Sequence, residues 1–170
     1  MTLFAVFATG ESMNQSQADA VRGVCKVVAV SDAWQLAPWA DALASTDQAW
    51  WQAHPQALGF AGRKFCSVDC EGMETFTPPS SMNSGLFGMH IATHLGATRI
   101  LLLGFDMRGN HFFGAHAAPL KNTPPQRFKT FLRQFETWNG CDVINCTPGS
   151  ALRRFPSMSL QEALCHGCAD

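Results

Sequence analysis

The apolar residues of this chain fall into two kinds of run. Four are short and nearly continuous: 3–8 (LFAVFA), 26–30 (KVVAV), 99–103 (RILLL) and 142–146 (DVINC). Each is bounded by turn residues and is too short for a helix, so each reads as a strand of a parallel sheet covered on both faces. Ala42 to Ser45 reads as a further short strand and Lys64 to Val68 as another. The second kind of run is periodic. Phe128, Phe131, Leu132, Phe135 and Trp138 recur at i, i+3, i+4, i+7 and i+10, with Lys129, Arg133, Gln134 and Glu136 off the stripe. That spacing predicts an amphipathic helix, opened by Pro124-Pro125 and stopped by Gly140.

Further helices are expected over 16–22, closed by Gly23, over 48–54 before Pro55, from Asn83 to Gly96, and after the Ser159–Glu162 capping box. Trp50 and Trp51 read as core residues of their helix, with stacking on a base as the alternative. The segment 34–44 is mixed, 75–82 (TFTPPSSM) is a two-proline loop, and 108–123 (RGNHFFGAHAAPLKNT) is a long histidine-bearing loop with no obvious element. Long ordered loops that follow a strand often carry function.

Asn83 to Asp106 organises the rest. A helix with small residues at its start runs to Gly96, and an apolar strand follows almost at once, ending in Gly104-Phe105-Asp106. The predicted fold is α/β, a Rossmann-like three-layer sandwich with a mainly parallel sheet, in a single domain over 1–170. Ligands of such sheets sit beyond the carboxyl ends of the strands. The residues expected there are Gly10, Glu11 and Ser12, then Ser31 and Asp32, then Asn83, Ser84 and Gly85, then Asp106 and Asn145. The 108–123 loop adds His111, His116, Lys121 and Asn122.

These residue types fit a nucleotide. Main-chain N–H groups at Gly10 to Ser12 and at Ser84-Gly85 can hold phosphate. Serine hydroxyls and asparagine amides can bond ribose and base, and a histidine can move a proton. Asp106 is expected to orient that histidine. The turn Thr9-Gly10-Glu11-Ser12 matches neither G-x-G-x-x-G nor a P-loop, and it lacks the final glycine of a nucleophile elbow.

Composition removes other classes. With 46% hydrophobic and 15% charged residues the chain is not expected to be disordered, and a net charge of −1 gives no reason to expect a nucleic-acid surface. No run approaches a membrane span, and the N-terminal run lacks a basic flank, so a cytoplasmic location is expected. Seven cysteines, an odd number, fit free thiols better than a disulfide framework. Cys165-His166-x-Cys168 together with Cys66-x3-Cys70 offers a zinc set, scattered thiols being the simpler reading, and no metal is assigned.

The ordered set ATGES (8–12), VAVSD (28–32), NSG-x(9)-LGATRILLLGFDM (83–107), GAH-x(4)-KN (114–122) and INCTPGSAL (144–152) resembles a known superfamily. It includes the bacterial family-42 sialyltransferases, the archaeal 6-hydroxymethylpterin diphosphokinase-like proteins and many small phage proteins of unknown function. The last are most similar in length and wording. The resemblance implies a nucleotide-dependent transferase, glycosyltransferase-like, working on a nucleotide or nucleotide-sugar donor. Gly10 and Ser12 match the first-strand nucleotide loop, Ser31 and Asp32 the second-strand end, and Ser84 and Gly85 the turn near the phosphate. His116 matches the catalytic base, displaced by one residue, with His111 as its competitor. Such transfer needs no cofactor. The diphosphokinase alternative implies Mg²⁺ on Asp106 or Asp32, and a non-catalytic nucleotide-sequestering protein is the alternative outside enzymes. A homo-oligomer is allowed for among its partners, and the likeness to phage proteins implies the host cytoplasm. One departure is plain: the sialyltransferases stabilise the departing phosphate with tyrosines, and this chain has none. What carries over is nucleotide-dependent transfer rather than transfer of sialic acid.

Overall fold

The structure is a computed structural model that describes residues 1–167. Its centre is a seven-stranded sheet in which every pairing is parallel. The strands are β1 (Leu3–Phe7), β2 (Lys26–Val30), β3 (Ala42–Ser45), β4 (Arg63–Cys66), β5 (Glu74–Thr75), β6 (Arg99–Leu103) and β7 (Asp142–Asn145), in the order β5-β4-β3-β2-β1-β6-β7. β1 lies between β2 and β6, with Val6 opposite both Val28 and Leu102. The α/β, Rossmann-like architecture expected from the apolar runs is therefore present.

Strand side chains alternate between two apolar layers. Phe4 and Val6 of β1 face one cluster, Ala5 and Phe7 the other. The first layer is built against α3 (Ser84–His94) and α4 (Arg127–Phe135), through Leu86, Phe87, Ile91 and Phe135. The second is built against α1 (Gln15–Val21), α2 (Gln48–Ala53) and α5 (Leu160–Gly167), through Ala18, Val21, Trp50, Trp51 and Ala163. Burial on both faces explains why the strands read as unbroken apolar runs.

Local chemistry sets the element ends. Asn83 caps α3 by accepting from Leu86 N at 3.0 Å. After α3 the chain reverses through Gly96 at φ 96°. Asn14 and Gln17 form a capping box on α1, and Ser159 with Glu162 caps α5 as expected.

Several boundaries differ from the sequence expectation. The segment after β2 turns as a short 3-10 helix, Ser31–Gln35. β4 stops at Cys66 because the chain turns there, and β5 is a two-residue edge strand just where the loop 75–82 was expected to begin. Residue 168, the last thiol of the zinc set, lies outside the described residues. No helix among the described residues is long and apolar enough to cross a membrane.

Candidate functional site at the carboxyl edge of the sheet

The parallel sheet brings the ends of β1, β2, β3 and β6 to one edge, and the 108–123 loop folds back over the end of β1. Its return is pinned by main-chain contacts. Phe112 N donates to Thr9 O at 3.0 Å, His111 forms antiparallel bridges with Gly10 and with Gly114, and Asn110 N donates to a Glu11 carboxylate oxygen at 2.8 Å. Asn122 accepts from His116 N at 2.7 Å, fixing the backbone beneath that histidine. Lys121 is exposed on the same loop.

The centre of the edge is Asp32, 3% exposed. Its Oδ2 accepts from the Trp50 indole Nε1 at 2.7 Å and its Oδ1 from the Gln35 amide at 3.0 Å. His54 Nε2 lies 3.2 Å from Oδ1, and His116 Nδ1 lies 4.0 Å from Oδ2. Both imidazoles are largely shielded, with side chains 15% and 14% exposed. The preceding residue, Ser31, sits at φ 46°, a left-handed conformation that costs a non-glycine residue about 1–3 kcal/mol and is concentrated at functional sites.

The two histidines differ in freedom. His54 stacks on Trp50 with centroids 4.5 Å apart, and its Nδ1 lies 2.8 Å from the Trp50 carbonyl oxygen. Both of its nitrogens therefore face acceptor oxygens. His116 comes from the loop, meets Asp32 at the longer distance, and packs at a tilt against His111 (4.6 Å) and Phe113 (5.0 Å). His111 stacks on Phe113 and lies 2.8 Å from the Thr9 hydroxyl through Nδ1. Burial, and secondarily the charge of His116, hold His111 below the ordinary histidine pKa, against the pull of Thr9 and Asp32.

Asp32, His54, His116 and Phe113 share the wall of a cleft of about 250 Å³, completed by loop residues 115–120. Ligand pockets are commonly about 300–1,000 Å³. The cleft thus takes one ring-sized group, and a larger ligand would extend along the sheet edge. That edge carries a row of hydroxyls. Ser31 Oγ donates to Ser45 Oγ at 3.1 Å, and Thr46 and Ser84 hydroxyls meet at 2.9 Å, tying the start of α3 to the end of β3.

Asp106 has different company. Ser12 donates to it through Oγ at 2.8 Å and through its main-chain N at 3.3 and 3.4 Å. A Cβ at Gly10 would land on Asp106 Oδ2 and 2.5 Å from Gly104 O, so only glycine permits this approach. Asp106 latches the β1–α1 turn, and among the described residues no hydrogen bond or ion pair joins its carboxylate to either loop histidine. With the carboxylates of Asp106 and Glu11 at this turn, a phosphate would meet like charge rather than free N–H groups.

Asn83 and Asn145 are likewise engaged by the fold. Asn83 caps α3 and donates through Nδ2 to Gln134 Oε1 at 2.9 Å. Asn145, 1% exposed, donates to Leu152 O and accepts from Thr147 N, holding the turn after β7. Gly85 packs against Phe105. Sequence reasoning did not single out His54, Thr9 or Phe113. The signal for His54 was its place four residues after Trp50, one turn along the same helix face.

The carboxylates that a Mg²⁺-dependent diphosphokinase would use are each occupied by protein donors, Asp106 by Ser12 and Asp32 by Trp50 and Gln35. Among the described residues no group of three or more His, Cys, Asp or Glu side chains is arranged to hold a metal ion. Comparison with family models, with curated proteins and with solved structures finds no match to this chain.

Proposed function

We propose that the chain is a nucleotide-dependent transferase whose proton acceptor is His116, positioned by Asp32. The observation that carries this reading is the buried Asp32 carboxylate facing two imidazoles on the wall of a cleft at the carboxyl edge. His54 is fixed from both sides, by the Trp50 carbonyl oxygen and by the Asp32 carboxylate. His116 is the imidazole free to exchange a proton with a ligand. With Nδ1 turned to Asp32, Nε2 takes the proton of an acceptor hydroxyl as that oxygen attacks the donor, and the nucleotide leaves with the bonding electrons. The 4.0 Å gap to Asp32 closes as the loop settles on a ligand, since catalytic hydrogen bonds are often long before substrate binds. The hydroxyl row supports a ribose along the edge, and the N-terminus of α3 at Ser84-Gly85 supports its phosphate better than the acidic β1–α1 turn.

A thermal-shift panel of nucleoside mono-, di- and triphosphates and nucleotide sugars tests the ligand. A binder at 100 times its dissociation constant adds about 2.7 kcal/mol, roughly 5–11 °C in a domain of this size. A flat panel with folded protein removes the nucleotide. His116→Ala is expected to lower turnover about 10²–10⁴-fold and to leave nucleotide affinity within about threefold. His111→Ala is the control, and equal turnover in wild type and His116→Ala removes histidine base catalysis.

A further inference from the structure

Neither Cys66 nor Cys70 lines the cleft. Cys66 is the last residue of β4, fully buried in the same apolar layer as Trp50, Trp51 and Phe60. Beyond it the chain turns back on itself. Ser67 Oγ donates to Thr46 O at 3.3 Å, Met73 N donates to Cys70 O at 3.2 Å, and Phe76 N returns to Cys66 O at 3.0 Å. This turn places the Cys70 thiol 3.4 Å from Cys66 Sγ, and both sulfurs are free. Among the described residues no other two thiols are in contact.

We infer that Cys66 and Cys70 form a dithiol–disulfide couple, closed by small-molecule disulfides of the glutathione type, independently of the proposed transferase activity. A disulfide bond is about 2.05 Å long, so from 3.4 Å the sulfurs must approach by about 1.4 Å. Cys70 is half-exposed at the end of an irregular turn and can make that movement, whereas Cys66 is held by its strand.

The exchange runs in two displacements. The Cys70 thiolate attacks one sulfur of the reagent, forming a mixed disulfide and expelling one small thiolate. The Cys66 thiolate then attacks Cys70 Sγ and expels the second. The protein loses two protons and two electrons, and the reagent is reduced to two thiols, which take up the protons. Selectivity comes from proximity rather than acidity. Burial and the bond to Cys66 push the Cys70 thiol up to about 11, and burial pushes Cys25 and Cys146 up to about 12. Below those values the thiolate fraction of Cys70 rises tenfold per pH unit, so closure accelerates from pH 7 to pH 9.

The test is exposure of the full chain to glutathione disulfide, acid quenching, denaturation, alkylation and non-reducing peptide mapping. The expected product is the 66–70 peptide lighter by two hydrogens, unalkylated and restored by dithiothreitol, with Cys25 and Cys146 still alkylated. Its rate should rise close to tenfold between pH 7 and pH 8. In Cys70→Ser, Cys66 should stay unmodified, because the entry thiol is gone. A product that stops at a glutathione adduct on Cys70, two free thiols under an excess of the reagent, or a Cys66 that reacts as fast in Cys70→Ser overturns the inference.

Discussion

Asp32 and Asp106 occupy matching places in the sheet. Each follows a buried strand, β2 and β6, and these strands flank β1 on either side. Each also adjoins a residue with left-handed backbone, Ser31 at φ 46° and Met107 at φ 54°. Their surroundings are opposite. Asp106, 8% exposed, is enclosed by Ser12 and the close backbone of Gly10, partners that belong to the neighbouring turn. Asp32 collects groups from α2, from the 3-10 turn and from a loop some eighty residues further along, and it opens on a cleft. Position at a strand end therefore places a carboxylate on the carboxyl edge, but its role is decided by what folds onto it. A carboxylate answered by main-chain and hydroxyl donors is a latch, whereas one facing imidazoles beside a cavity can govern a proton.

Exchanging the two carboxylates for alanine is the strongest way to break this comparison. Asp32→Ala leaves the Trp50 indole N–H buried without an acceptor, a cost of about 1–3 kcal/mol. It also removes the partner of His116, and groups that act as a unit fail together, so turnover should fall about as far as in His116→Ala, 10²–10⁴-fold. Asp106→Ala removes the latch on Ser12 and lowers stability, while turnover stays within about threefold of wild type. Equal losses of turnover in the two variants would erase the distinction.

A smaller perturbation sharpens the latch side. In Gly10→Ala the new methyl group collides with Asp106 Oδ2, a side-chain end that Ser12 holds in place, and with the Gly104 carbonyl of the backbone. Overpacking of this kind costs about 1–3 kcal/mol, or roughly 2–12 °C of melting temperature here. Because the collision concerns the β1–α1 turn and not Asp32, nucleotide affinity should change less than stability. A Gly10→Ala variant as stable as wild type would show that the turn is not clamped.

Much of this was legible in the chain. The apolar runs give the parallel sheet, because strands buried on both faces need no polar alternation; 99–103 appears as expected, and 142–146 ends one residue early, at Asn145. Asp32 and Asp106 were both placed at the carboxyl edge for the same reason. What could not be read is pairing across long separations. Asp106 was expected to orient the loop histidine, but the loop is drawn by Thr9 and Gly10 toward β1 and β2, and His116 meets Asp32 instead. His54 was hidden by its neighbours: beside Trp50 and Trp51 the helix reads as core, and only the fold shows that the Trp50 indole N–H and the His54 ring serve one carboxylate. β5 was missed because two residues on a sheet edge carry no period at all.

The finest test uses acid. Burial and the charge of His116 hold the folded-state pKa of His111 below its unfolded value of about 6.5. Between the folded and unfolded values the unfolded chain binds more protons, so stability rises with pH there. The stability tied to neutral His111 is thus fully present above about pH 6.5 and is lost as pH falls through the lower folded value. Burial lowers His90 in the same direction, so wild type should lose melting temperature on going from pH 7.5 to pH 5 for two reasons. His111→Gln keeps a partner for the Thr9 hydroxyl without a titrating ring, and it should make that loss smaller. The His111 ring keeps partial contact with solvent, which screens its charge, so this difference should be the smallest of those above. His90→Gln provides the reference, since it lies on α3 away from the cleft. If His111→Gln loses as much on acidification as wild type while His90→Gln loses less, the acid response belongs to α3, and the two loop histidines do not feel one another.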